Sequence, residues 1–199
     1  MKTLRICFVG DSFVNGTGDP ECLGWTGRIC VQACQQGHDI TYYNLGVRRE
    51  TSSDIAVRWQ DEVFRRLPED EDGRVIFSFG TNDTTLENGK TRVELDQSID
   101  NAYNILSLAQ QVFPVLMVGL PPLVEIEQNS RNAELSQQFA LVCSQLNIPY
   151  LDIFKPLSTS KIWLHEVAAN DSYHPASAGY SELAQLVQNW QAWLSWFKS

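Results

Sequence analysis

With 199 residues, 43% of them hydrophobic and 20% charged, the chain has the size and composition of one folded unit over residues 1–199, burying roughly 70% of the surface its unfolded form exposes. Its formal charge of −9 excludes a general nucleic-acid binder, which needs a basic surface to displace counterions from phosphates, and no apolar run approaches the length of a membrane span. Cys7, Cys22, Cys30, Cys34 and Cys143 are odd in number and lack disulfide-like spacing, which points to reduced thiols and a cytoplasmic setting.

The first predicted element is Leu4 to Val9, an apolar run too short for the core of a secretory leader and leading straight into Gly10-Asp11-Ser12, so it reads as a strand. A helix is predicted over about Trp25 to Gln36. Within and just after it, Cys30, Cys34 and His38 recur every four residues; three such ligands on one helix face suit zinc, but packing of that face against a sheet is the more ordinary outcome, and no metal or cofactor is expected. The second strand, Ile40 to Leu45, runs into Asn44-Leu45-Gly46 and then Val47-Arg48-Arg49-Glu50-Thr51.

Helical spacing follows over about Ser53 to Arg66, a strand over Val75 to Phe79, and then the polar turn Gly80-Thr81-Asn82-Asp83. Further on come a helix from about Arg92 to Val112, a strand from Val115 to Leu120, a helix from about Arg131 to Gln145 and a strand from Ile148 to Ile153. The turn Asp171-Ser172-Tyr173-His174-Pro175 precedes a last helix, about Ala176 to Trp196, whose apolar stripe is rich in tryptophan. Short, nearly continuous apolar strands alternating with helices imply an α/β class, a three-layer α/β/α sandwich with right-handed crossovers. Sites in such sheets lie outside the carboxyl ends of the strands, which is where Ser12, Gly46 and Asn82 fall.

Ser12, His174 and Asp171 supply the three groups of an activated oxygen nucleophile: a hydroxyl, a base to take its proton, and a carboxylate to orient the base. Of three histidines, only His174 stands in a Pro-bounded turn with an acidic residue three positions before it. Each motif alone has a plainer reading, as a helix cap, a turn glycine or a polar turn.

Taken in order, Gly10-Asp11-Ser12, Gly46, Asn82 and His174 resemble the four sequence blocks of the SGNH hydrolases, the GDSL family of esterases and lipases, across nearly the whole chain. The resemblance implies a flavodoxin-like parallel sheet of five strands ordered 2-1-3-4-5, a catalytic triad of Ser12, Asp171 and His174, and an oxyanion hole from the amides of Ser12 and Gly46 and the side chain of Asn82. It also implies a small-molecule carboxylic ester or thioester as substrate. Gly46 suits its part because a residue without Cβ lets a substrate approach the backbone. The chain departs from the pattern after Gly46, where small residues are usual and Arg48 and Arg49 stand instead; a guanidinium there suits an anionic group on the substrate, or else the two are a solvated pair of charges or one forms an ion pair with Glu50. The other readings are a flavodoxin-like phosphate-binding module built on Gly10 to Gly18, whose glycines match no phosphate motif, and a ligand binder of SGNH fold without activity. Oligomeric state stays open.

Overall fold

A computed structural model describes residues 3–198; Met1, Lys2 and Ser199, the ends of the expected unit, lie outside the described residues. Strand β1 (Leu4–Gly10) runs through the middle of the sheet, buried on both faces apart from the half-buried Arg5, as its nearly continuous apolar run requires. It pairs in parallel with β2 (Ile40–Gly46) on one side and β3 (Asp72–Ser78) on the other, so that Gly10 stands level with both Gly46 and Ser78. A short hairpin, β4 (Leu86–Glu87) and β5 (Lys90–Thr91), stands apart; β6 (Val115–Val118) and β7 (Tyr150–Leu151) complete the main sheet in the order β2-β1-β3-β6-β7, all parallel. Apart from the hairpin, this is the order 2-1-3-4-5 that the resemblance implied.

Helices cover both faces. On one, α3 (Ser52–Arg66), α4 (Leu95–Ala109) and α5 (Ile126–Leu146) lay Trp59, Ile105 and Phe139 against Val9, Phe77 and Met117. On the other, α2 (Gly24–Gln35), α7 (Lys161–Ala169) and α8 (Ser177–Gln188) lay Trp25, Trp163 and Tyr180 against Ile6, Phe8 and Ile76. Burying each of these large apolar side chains contributes about 1.5–3 kcal/mol before entropy is counted. Two one-turn helices, α1 (Ser12–Asn15) and α6 (Phe154–Leu157), and the short α9 (Gln191–Ser195) complete the set.

Several predicted boundaries move, for local reasons. The expected last helix is broken: α8 stops at Gln188, the Asn189 side chain bonds back to the Gln185 carbonyl, and α9 starts in a new direction after an extended Trp190, which brings Trp193 into the core against Phe197. Helix α5 begins five residues before the expected Arg131 because the Glu125 carboxylate accepts from the amides of Glu127 and Gln128. Helix α4 begins at Leu95 rather than Arg92 because Arg92 and Val93 are tied by their amides to Thr85 and Asp83 below the hairpin. Helix α2 ends at Gln35, so His38 does not share a helix face with Cys30 and Cys34; its ring packs 4.6 Å from that of Phe197. Among the described residues no group of three His, Cys, Asp or Glu side chains could hold a metal ion, and no helix is long and apolar enough to cross a membrane.

Candidate active site

Three loops leave the carboxyl ends of β1, β2 and β3 and meet the turn before α8. Ser12 is the first residue of α1, whose N-cap is Asp11; the Asp11 carboxylate accepts from the Phe13 amide at 3.0 Å, which turns the chain sharply just past the strand. Ser12 is 5% exposed and its Oγ donates to Nε2 of His174 at 2.7 Å, across 162 residues of sequence. Nδ1 of His174 donates to Oδ2 of Asp171, also at 2.7 Å. Burial alone would push the Asp171 carboxyl up, but hydrogen bonds from the His174 amide and ring and from the Tyr173 amide outweigh it and hold the group below its usual range. An ionised Asp171 only accepts, so Nδ1 carries the imidazole proton and Nε2 is left free to accept from Ser12.

The turn that presents His174 is built from the same carboxylate. Oδ1 of Asp171 accepts from the amides of Tyr173 and His174, at 3.0 and 2.7 Å, while Ser172 takes a left-handed φ of 70°. One oxygen of Asp171 thus caps the turn and the other accepts from the imidazole. The ring of Phe13 lies 4.9 Å from the imidazole, backed by Trp163 at 6.4 Å. Burial lowers the His174 pKa, the Asp171 carboxylate pulls it up, and the charge of Arg48 lowers it again; the net direction is down, so the base stays neutral to lower pH than a free imidazole.

Asn82 reaches the site from the loop after β3; its side-chain amide donates to the Glu50 carbonyl at 2.9 Å and stands 3.5 Å from Oδ2 of Asp11. Gly46 behaves differently from the expectation. Its amide donates to Oδ1 of Asn44 at 2.9 Å, and it is not among the residues lining the cavity beside Ser12. The space its missing Cβ leaves is filled by the chain itself: an added Cβ would stand 2.2 Å from the Asn15 nitrogen and 2.7 Å from the Asp11 carbonyl oxygen. The glycine makes room for the turn of α1 and hence for Ser12, not for a substrate. The next turn carries Arg48 and Arg49, whose amides have no hydrogen-bond partner among the described residues, and Arg49 adopts φ 68°, a conformation that favours the small residue usual there.

Beside Ser12 lies a cavity of about 300 Å³ whose walls include Phe13, Arg48, Arg49, Asn82, Glu87, Arg92 and Tyr173. Arg49 is largely exposed and faces Glu87 at 3.7 Å; Arg92 also pairs with Glu87 and donates to the Arg49 carbonyl. Arg48 has no ion-pair partner among the described residues, and Glu50, its expected partner, pairs instead with Arg58. Glu87 and Arg92 were not singled out from the sequence. The signal for them was Asn88-Gly89, both at positive φ, which closes the β4–β5 hairpin and places them at the cavity.

Asp11 is a carboxyl with almost no exposure, pushed up to about 7 by burial and secondarily by Asp83, against the pull of the Phe13 amide. Its folded value lies above the ordinary 3.8, so the stabilisation it gives is complete at low pH and is lost as pH rises towards 7. Asp11→Asn keeps the cap and removes the titration. We expect its denaturant midpoint to gain on wild type progressively between about pH 4 and 7, and a constant difference across that range would contradict this assignment.

A five-stranded parallel sheet in this order, with serine, imidazole and carboxylate gathered at its carboxyl edge, is the fold of the SGNH hydrolases. The chain belongs to the GDSL-like lipase/acylhydrolase family, which it matches over residues 8–181. Solved structures agree on the fold: a lipase/acylhydrolase from Enterococcus faecalis is 21% identical, with 93% of each chain covered and a TM-score of 0.76. A catalytic mutant of an acetylxylan esterase from Geobacillus stearothermophilus is 16% identical, with 96% of this chain and 97% of that one covered, also at 0.76. The protein YpmR of Bacillus subtilis (strain 168) is 30% identical over 80 residues, which is 39% of this chain and only 31% of that protein.

Proposed function

We propose that this enzyme is a serine hydrolase that cleaves a carboxylic ester or thioester through an acyl-enzyme on Ser12. The observation that carries the reading is the unbroken line from Ser12 Oγ to His174 to Asp171, with both links at 2.7 Å. His174 takes the Ser12 proton as Oγ attacks the acyl carbon, then gives it to the departing alcohol or thiol. Water enters, loses a proton to the same nitrogen and attacks the acyl group; Ser12 Oγ leaves and recovers its proton. Asp171 holds the tautomer and stabilises the imidazolium.

Charge on the former carbonyl oxygen needs donors fixed in advance, each worth about 2.7–4 kcal/mol. The Ser12 amide, at the first turn of α1, and the Asn82 side chain are two. A Gly46 amide in this role would have to give up its bond to Asn44, so we assign the third donor to the Arg48–Arg49 turn, whose amides are uncommitted and which lines the cavity. The five free cysteines, two of them exposed, fit a reducing, cytoplasmic setting.

Arg48 gives the substrate a further attribute. It is a cation on the cavity wall of an acidic protein, without an ion-pair partner among the described residues, and we assign it to an anionic group on the acyl or alcohol part. Arg48→Ala is expected to raise KM for an ester carrying a carboxylate on the order of 10-fold and to leave p-nitrophenyl acetate within about two-fold. The charge of Arg48 opposes protonation of His174, so its removal should also move the acid limb of the kcat/KM profile to higher pH. Equal KM changes for both esters would remove the assignment.

The reading as a whole is tested by an organophosphorus probe. Wild type should take up one phosphonyl group on Ser12, located by peptide mass spectrometry, and Ser12→Ala none. A wild type that stays unlabelled and inactive would favour the inactive ligand-binder reading.

A further inference from the structure

Two of the three strand-end loops of the site are tied together by one side chain, outside every motif, that belongs to neither, and the third is reached through Glu50. Arg58 lies on the second turn of α3, mostly buried. Its Nη2 donates to the carbonyl of Gly10 at 3.1 Å and to that of Leu45 at 3.0 Å; its Nε donates to the Glu50 carboxylate at 2.5 Å; and its Nη1 lies 3.4 Å from the Glu62 carboxylate.

Three of those partners, Gly10, Leu45 and Glu50, lead towards the reaction centre. Gly10 is two residues before Ser12, and its carbonyl also accepts the Val47 amide, at 3.0 Å. Leu45 is the last residue but one of β2, which ends at Gly46 immediately before the Val47–Glu50 turn that carries Arg48 and Arg49. The Glu50 residue held through its carboxylate uses its carbonyl to hold the Asn82 side-chain amide. The start of α3 is itself fixed, by the Thr51–Asp54 capping box and by the Ser52 amide donating to Asp83 at 2.7 Å, so Arg58 projects from a rigid base.

We infer that Arg58, acting through Glu50, is a positioning residue that sets the nucleophile, the Arg48–Arg49 turn and Asn82 at their mutual spacing, so that the donors meet the tetrahedral intermediate. A guanidinium suits the task because its planar fork bonds several acceptors at fixed angles, which a lysine does not. Arg58 touches neither the serine nor the cavity, so its contribution lies in geometry felt at the transition state rather than in holding substrate. The inference rests on the serine-hydrolase reading.

The test is kcat per active site, counted with the organophosphorus probe, in wild type, Arg58→Met, Arg58→Lys, Glu50→Ala and Ser12→Ala, on p-nitrophenyl acetate. For Arg58→Met we expect kcat per titrated site to fall on the order of 10²-fold with KM within about two-fold. Inhibition by a boronic acid, which forms a tetrahedral adduct on the serine, should weaken in step with kcat, while Arg58→Lys recovers part of both. A merely structural arginine would lower the melting temperature and the number of titrated sites, leaving kcat per site and boronate affinity unchanged; that result overturns the inference. If Arg58→Met does not fold, Glu50→Ala decides on the same two readouts, because it frees the turn without leaving Arg58 unpaired, Glu62 remaining beside it. Activity surviving in Ser12→Ala would instead remove the serine-hydrolase reading itself.

Discussion

Ser12→Ala and His174→Ala should each lose on the order of 10³-fold or more in kcat/KM on short-chain p-nitrophenyl esters, with circular dichroism unchanged. The size follows from the geometry. A free serine hydroxyl is a poor nucleophile at neutral pH, and among the described residues the base within hydrogen-bond reach of Ser12 is the His174 nitrogen at 2.7 Å. Because the two act as a unit, the double variant should be little worse than either single one. Both side chains are nearly buried, but both lie at the edge of the sheet rather than in its two apolar cores, so loss of activity without loss of fold is the expected signature. Equal rates in all three proteins would remove the triad.

Gly46→Ala is expected to have the next largest effect, through a different route. Alanine keeps the backbone N–H, so a residue that mattered only as a hydrogen-bond donor would tolerate it. Here the new Cβ would meet backbone atoms of Asn15 and Asp11 at 2.2–2.7 Å, and backbone cannot rotate out of the way as a side chain can. Overpacking of this kind costs at least about 2 kcal/mol. The strain falls on α1, which carries the nucleophile, so kcat should drop with stability, and the Ser12–His174 bond is the contact that lengthens. Chemical denaturation paired with p-nitrophenyl acetate turnover decides the matter: a variant with wild-type midpoint and rate would show that α1 has slack.

How much of this could be read from the residues alone depends on how local the signal was. The five strands of the sheet, their parallel arrangement and the sides of the helices were legible because apolar runs such as Val75–Phe79 and helical stripes such as Ile55–Trp59–Val63 state their burial directly. Ser12, Asp171 and His174 were legible because short motifs at strand ends and turns carry their own chemistry, and the structure brings all three together. Gly46 was noticed for a sound reason applied to the wrong neighbour: a missing side chain shows that something comes close, not what, and only the packed chain reveals that it is Asn15. Arg58 carried no signal at all, since a lone arginine on an amphipathic helix reads as solvated until its two carbonyl partners are located in space. The break after Gln188 escaped because the stripe of Trp190 and Leu194 continues through it at helical spacing, and only tertiary packing of Trp193 reorients the last turns.

The span of 162 residues between Ser12 and His174 has a temporal meaning as well as a geometric one. A growing chain displays Ser12 long before the imidazole, which arrives only when the turn before α8 has been made and folded. During synthesis the nascent protein carries its hydroxyl without the means to ionise it. Contacts this far apart close late in folding, after the local helices have formed, so during refolding the recovery of turnover marks the docking of the C-terminal elements rather than the formation of the sheet. Chemical competence is thereby reserved for the finished molecule.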